Sequence, residues 1–497
     1  MRPISQYSQS LADVARHVSA ASKAPVPELA KVTINGVTQN SHLVEAGDLF
    51  VAIQGAKHHG AEFAESAKAQ GAVALLTDLQ GAEKFSGLPT LVVENPRESA
   101  ALVAAALYRE PMRDLSSIGI TGTNGKTTVT TLLHQIFQMA GRDSGLIGTV
   151  ETRIGVEKIK SERTTPESTE LQALAAVMKE RHMRHLVMEV SSHAISMQRM
   201  KAAHFSYVGF TNLTQDHLDF HGSMEKYFEA KSKLFTFEFA DLGFINIDDQ
   251  YGAQLAQDCE IPVVSLSRNN QSAQWHFVEY FNEHSGVAMQ IRGTEGILIE
   301  TTTSLRGGYN LDNLLMAIAI AHEAGIDPIE IATLIPKIQG AVGRLDPIKL
   351  GQNFGAYVDY AHTPDAVANV LKTSKEFTTG KIIAVLGCGG DRDSSKRPLM
   401  GKALNEYSDI AVFTSDNPRS ENPEAILKEM IGGLKVEKPS AVIADRAAAI
   451  SYAVSLASPG DCVLVLGKGH ESGQEIQGVT SPFDDKIILA SAIEAKK

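Results

Sequence analysis

Cysteine is scarce: Cys259, Cys388 and Cys462 are the only three in 497 residues. They are too few and too scattered for a disulfide framework or a zinc site, and are expected to be small buried hydrophobes. Long apolar runs are missing too. No stretch approaches the roughly 18 apolar residues needed to span a bilayer, and the opening MRPISQYSQSLADVARHV has no apolar core of a secretory signal. A cytoplasmic protein without membrane insertion is expected. Basic charge is in deficit: 46 Lys and Arg stand against 58 Asp and Glu, a net charge of −12. Nucleic acid is therefore excluded as a main partner, since its affinity rests on clustered Lys and Arg, and any phosphate contact must be local. Repeats and low-complexity tracts are absent.

What is present is ordinary globular composition, 43% hydrophobic and 21% charged, in a chain long enough for three domains at about 150 residues each. The first part alternates strand and helix: AGDLFVAI (46–53), the helical AEFAESAKAQGA (61–72), VALLTD, LPTLVVEN, and the helical ALVAAALY (101–108). The REPMRD that follows has the proline and charge of a linker. The middle part opens with the strand SSIGIT, followed by a helix with Val129, Leu132, Leu133, Ile136 and Phe137 at helical spacing until Gly141. HLVMEV (185–190) reads as a second buried strand, and TTPESTELQALAAVM predicts a helix capped by Thr165 with Pro166 at its first position. Beyond Arg344, the apolar strands IIAVL, DIAVF and CVLVL each run into a polar loop: GCGGDRD, TSDNPRS and GKGHES. The expected fold is α/β in three domains: an N-terminal α/β unit (1–100), a central P-loop-type parallel-sheet unit (101–344) and a C-terminal Rossmann-like doubly wound unit (345–497). In such sheets ligands lie beyond the carboxyl ends of the strands, where the three loops converge.

The segment ITGTNGKTT (120–128) has the elements of a phosphate loop, although Ile120 stands where the usual pattern has its upstream glycine. Gly122 and Gly125 permit a turn that aims N–H groups at one anion, Lys126 adds a positive charge, and Thr127 opens the helix where its hydroxyl can reach magnesium. A nucleotide phosphate fits this strand, turn and helix order.

GTNGKTT resembles the loop of the Mur ligase family of ATP-dependent amide-forming enzymes. MEVSSH (188–193), TNLTQDHLDFHG (211–222) and YFEAKSKLF (227–235) follow in the same order. The resemblance implies an ATP site at Gly122, Thr123, Asn124, Gly125, Lys126, Thr127 and Thr128, with Asn310 and Asn313 of GGYNLDN, Arg344 of GRLD, and Asp359 and His362 of VDYAHTP. It implies magnesium held by Thr127, Glu189, His217 and a carbamylated Lys231, the catalytic set being Lys126, Glu189, His217 and Lys231. A lysine takes up carbon dioxide only as the free amine, so Lys231 would need a pKa lowered by burial.

DNPR, Asp416, Asn417, Pro418 and Arg419, resembles the signature of family members that add meso-diaminopimelate to UDP-N-acetylmuramoyl-L-alanyl-D-glutamate. The physical basis is that a planar guanidinium can grip the distal carboxylate that lysine lacks. Arg392 of GGDRD and Gly467 and Glu471 of GKGHE complete the implied amino-acid site. The nucleotide-sugar peptide is implied to meet Thr164, Thr165, Ser191 and Arg199, with its uridine in the N-terminal unit at Ser41. There the pattern departs: Asn40 and His42 flank Ser41, GAKHHG follows, and Met197 stands two before Arg199. The implied protein is a monomer that activates a carboxylate as an acyl phosphate. A lysine-adding or folate-polyglutamylating relative, and a nucleotide-binding regulator without ligase activity, stay open on these residues.

Overall fold

The computed structural model describes every residue except 23–24, 56, 284–285 and 497. Ala56 of the GAKHHG segment lies outside the described residues. Among the described residues, three larger sheets, each with its own helices, follow one another along the chain, beside two two-stranded ones.

The first is a four-stranded parallel sheet in sequence order, Gly36–Thr38, Asp48–Val51, Ala74–Thr77 and Thr90–Val92. The helix Pro96–Leu107 crosses residue 100 and buries Ala100, Val103, Ala104 and Leu107 against this sheet. The chain then turns at Arg109 and Glu110, both in the left-handed region. In GAKHHG, His59 is a structural residue: it is buried, its ring caps the turn Gly60–Phe63, and its other ring nitrogen lies 3.1 Å from Asp78.

The central sheet has eleven strands among the described residues. Its parallel heart orders Ser144–Ile147, His185–Glu189, Ser116–Thr121, Phe205–Phe210, Ala240–Asn246 and Val263–Ser267 side by side. Antiparallel strands extend both edges, a feature absent from the sequence reading, and the meander Trp275–Asn282, Val287–Arg292, Leu298–Thr303 forms one of them. Helices cover both faces. Ile118, Ile120 and Val187 pack with the helices Lys126–Met139 and Gly308–Glu323, while Leu186, Met188 and Val208 join a second core on the opposite side. That two-sided burial is why these strands read as continuous apolar runs.

The third sheet orders Asp346–Pro347, Gly355–Asp359, Cys462–Leu466, Ile382–Cys388, Ile410–Ser415 and Ala441–Val442, parallel except for its first strand. Along Ile382–Cys388, Ile382, Ala384 and Leu386 face one helical layer while Ile383 and Val385 face the other. This is the doubly wound arrangement expected from the three apolar segments. Cys388 and Cys462 are buried as expected, whereas Cys259 is only partly so.

Two sequence expectations change locally. The helix after TTP begins at Ser168, and Glu167 takes its N-cap position, without a side-chain cap. Thr165 is otherwise engaged: its hydroxyl donates to the Glu189 carbonyl (2.9 Å) and accepts from the Ser191 N–H (3.0 Å).

Candidate active site

Gly122 follows directly on the strand Ser116–Thr121, and the helix Lys126–Met139 starts four residues later. Gly122 sits at φ +142°, and a Cβ there would lie 1.9 Å from the Thr211 hydroxyl oxygen, so this turn admits only glycine. Lys126 donates to the carbonyls of Gly122 (2.9 Å) and Thr123 (2.8 Å). Lys231, from the helix Met224–Ser232 and 1% exposed, donates to that same Gly122 carbonyl at 2.8 Å. Two ammonium groups on one carbonyl oxygen oppose each other. Burial first, and then Lys126, push the Lys231 amine well below its ordinary range, with Asp216 opposing.

Glu189 ends its strand beside this loop, buried. Its carboxylate accepts from the Thr127 hydroxyl (3.0 Å), the Thr149 N–H (2.7 Å) and the Thr149 hydroxyl (3.0 Å). His217 begins a short helix in the left-handed region, its ring 4.7 Å from that of His193. Burial lowers His217 to about 4, against the pull of Asp216. Asp216 is itself buried and pairs with Lys396 of the C-terminal unit. Burial raises Asp216, but His217 and Lys396 outweigh it and hold the carboxyl at about 2. Its charge reaches both Lys126 and Lys231.

Two clefts open between the central and C-terminal units. The first, about 450 Å³, is lined by Asn124, Gly125, Thr128, Asn313, Arg344 and Asp359, with Arg268 and Asp312 farther out. Arg344 lies over the Tyr360 ring, 4.8 Å from its centre, and Asp359 accepts the N–H groups of Leu345 (2.6 Å) and Ala361 (2.8 Å). Asn310 is buried and donates to the Arg306 carbonyl (2.9 Å). His362 is exposed, its ring 2.7 Å from the Tyr360 carbonyl. Gly343 makes the crossing between units possible: it has φ +70°, and a Cβ would come within 2.4 Å of the His470 nitrogen.

The second cleft, about 390 Å³, gathers Arg392, Asp416, Asn417, Arg419, Gly467 and Glu471 on one side and Thr164, Asp216 and His217 on the other. Arg419, in the left-handed region, donates to the Gly390 carbonyl at 2.6 Å. Asn417 donates to Glu471 (2.7 Å), and the buried Lys468 donates to Asn417 (2.9 Å) and Glu471 (3.3 Å). Burial raises the Asp416 carboxyl, while Arg446 and Lys468 pull it back. Beneath the cleft, Arg446 and Asp485 form a fully buried pair, and Arg446 also donates to the carbonyls of Ser415 (3.2 Å) and Leu466 (2.9 Å), the ends of two strands.

Thr164 accepts from the Thr149 hydroxyl (3.0 Å), Ser191 caps the helix Ser192–Ser196, and Arg199 pairs with Glu167 (3.0 Å). Ser41 belongs to the N-terminal unit. It starts a turn whose next residues, His42 and Leu43, line a further cleft of about 430 Å³ with Arg163 and Thr169. Sequence reasoning missed Asp216, Lys396, Lys468 and the Arg446–Asp485 pair. Asp216 could have been found beside His217, and Lys468 lies inside the quoted GKGHE. Arg446 and Asp485 stand 39 residues apart with no motif around either.

An anion loop on a parallel sheet, facing across to paired acids and guanidinium groups on a second α/β unit, defines a nucleotide-dependent ligase that joins an acid to an amine. The chain belongs to the Mur ligase family. The family's middle domain matches residues 120–321, its glutamate ligase domain 343–469, and the part described as the Mur ligase catalytic domain 33–113. A protein of Streptomyces coelicolor named UDP-N-acetylmuramoyl-L-alanyl-D-glutamate--2,6-diaminopimelate ligase is 46% identical over 99% of this chain and 98% of its own. One of the same name from Aquifex aeolicus is 40% identical over 92% and 93%. A solved structure bearing that name superposes with a TM-score of 0.69 at 30% identity, covering 98% of this chain and 99% of the other. Among the described residues, no helix is long and apolar enough to cross a membrane.

Proposed function

We propose that this chain, a cytoplasmic monomer, uses ATP to add meso-diaminopimelate to the γ-carboxylate of D-glutamate in UDP-N-acetylmuramoyl-L-alanyl-D-glutamate, a step of peptidoglycan precursor synthesis. The observation that carries the reading is the second cleft. Asp416 and Glu471 offer carboxylates for ammonium groups, and Arg392 and Arg419 offer guanidinium groups for carboxylates, in one space reached by His217 and Asp216 from the phosphate-loop unit. Such a cleft suits a zwitterion with charge at both ends. The names carried by relatives of nearly full coverage agree with it. The working units divide after Tyr108, at the left-handed Arg109 and Glu110, and at Gly343–Arg344.

The acid's carboxylate attacks the γ-phosphorus of ATP and ADP leaves. The amine then attacks the acyl phosphate carbonyl and phosphate leaves. In this reading the chain contributes position and electrostatics and no covalent nucleophile. Residues Gly122 to Thr128 cradle the phosphates, Lys126 turning from the loop carbonyls to them, while Asn313, Arg344 and Asp359 border the rest of the nucleotide; the buried Asn310 supports that wall from behind, and His362 lies on the second cleft. The Thr127 hydroxyl and Glu189 carboxylate, already 3.0 Å apart, supply the oxygen donors magnesium requires. Bound there, magnesium would offset phosphate charge. The ring nitrogen of His217 suits that ion less well, and Lys231 joins the set only as its carbamate, for which its lowered pKa is the prerequisite. Thr164, Thr165, Ser191 and Arg199 take the peptide end of the acid substrate, and Ser41 the uridine end.

Phosphate release tests the reading: it should require both the nucleotide-sugar dipeptide and meso-diaminopimelate. Arg419→Ala should raise the KM for diaminopimelate about 100-fold, as expected for a lost bidentate charge pair, and leave lysine use unaffected. Release independent of the amine, or undiminished diaminopimelate use by Arg419→Ala, overturns it.

A further inference from the structure

Past the GKGHE loop the chain forms a hairpin, Gly473–Ile476 paired with Val479–Pro482, outside the six-stranded sheet. Its outer strand is exposed along its whole length, so the hairpin contributes little to either domain core. Its inner strand is bonded at successive residues to the Asp416–Arg419 segment. The Gln474 side-chain amide donates to the Asp416 carbonyl at 2.7 Å, and the Glu475 N–H donates to the Asn417 side-chain oxygen at 3.1 Å. The Arg419 N–H donates to the Glu475 carbonyl at 3.0 Å, and the Gln477 N–H donates back to the Arg419 carbonyl at 2.5 Å. The Glu475 carboxylate lies 3.8 Å from the Arg419 guanidinium.

This bonding addresses a local difficulty. Arg419 is at φ +54°, a conformation that is strained for a non-glycine residue and persists only where its surroundings impose it. The two main-chain bonds from the hairpin impose it here, and they set the direction in which the guanidinium leaves the backbone. Asp416 is fixed from the same strand, through its carbonyl.

We propose that the hairpin Gly473–Pro482 is a specificity brace that holds the Asp416–Arg419 segment in the orientation that selects a diamino acid with a distal carboxylate, and that Gln474 is a positioning residue which, without touching substrate, anchors the Asp416 end of that segment. The proposal rests on the function proposed above and extends it to the origin of amine selectivity. Gln474→Glu and Gln474→Met keep the side-chain length and remove the N–H donor. Each should raise the KM for meso-diaminopimelate about tenfold, the size of one lost, partly buried hydrogen bond. The KM values for ATP and the nucleotide-sugar dipeptide, and kcat, should stay within about twofold. Selectivity for diaminopimelate over lysine should fall by the same tenfold, with an unchanged melting temperature reporting an intact fold. Unaltered selectivity in both variants, or equal losses with every substrate, overturns the brace. Wild-type protein that releases no phosphate with diaminopimelate overturns the underlying reading of function instead, and the brace with it.

Discussion

Around the phosphate loop, Lys126 and Lys231 are both turned onto the Gly122 carbonyl, and Glu189 is bonded to Thr127 and Thr149. In the amino-acid cleft, Lys468 is set against Asn417 and Glu471, Arg446 against Asp485, and Arg392 is exposed. The first region folds its charge back on its own backbone and neighbours, so it must rearrange to take up an anion. The second braces charge with charge beneath and beside its groups, although Arg419 also rests on the Gly390 carbonyl, so fewer of its contacts must change before a zwitterion arrives. Under the proposed function, the contrast puts conformational change during turnover on the ATP side and selectivity on the amine side.

The largest expected effect breaks the first half of that contrast. Lys231→Ala removes the amine that crowds Lys126, and with it the proposed carbamate. Activity should fall about 1,000-fold, as for loss of a preorganised electrostatic group, and short carboxylic acids should recover part of it in a phosphate-release assay. Retained activity would mean that Lys231 only fills space. The second half is broken from below by Arg446→Met, which strands Asp485 uncompensated at 0% exposure. Stability should drop by about 3–5 kcal/mol in urea unfolding, and the double change Arg446→Met with Asp485→Leu should recover most of it. A small loss in the single variant would show that the cleft floor does not depend on the pair.

The same contrast explains what could be read from the sequence. The proposed phosphate loop is a contiguous run that brings Gly122, Lys126 and Thr127 together because they are neighbours in the chain. The apolar strand segments were legible because burial on both faces leaves no polar alternation to confuse them. The amino-acid cleft is assembled from loops at 389–392, 416–419 and 467–471, and its motifs could be recognised only one by one. Their floor, Arg446 with Asp485, is joined by tertiary packing alone and has no local signature. Thr165 shows the opposite error. A threonine before a proline satisfies the capping rule, yet its hydroxyl is taken by the end of the neighbouring strand, and long-range bonding overrides the local preference.

The last comparison concerns acid. In the central unit, His134 and His185 are 3% and 4% exposed and both are lowered to about 4. Burial is the first cause in each, and next comes the charge of Arg153 for His134 and of Arg142 for His185. His185 lies flat on Phe137, with ring centres 3.9 Å apart, so a protonated ring there would have an apolar face against it. In the unfolded chain both histidines return to about 6.5. Above that pH neither state binds the proton and stability is unaffected. As pH falls below 6.5 the unfolded chain is protonated first, and stability declines until the folded groups titrate near 4. At pH 5 the loss should be about 2 kcal/mol for each histidine. His185→Leu, which keeps an apolar contact with Phe137, should reduce the decline between pH 7 and pH 5 in urea midpoints by one histidine's share, about 2 kcal/mol, the rest staying with His134 and with His217, His221 and His470, which are also lowered to about 4. An equally steep decline in that variant would show that the buried ring on Phe137 does not carry its share of the acid sensitivity.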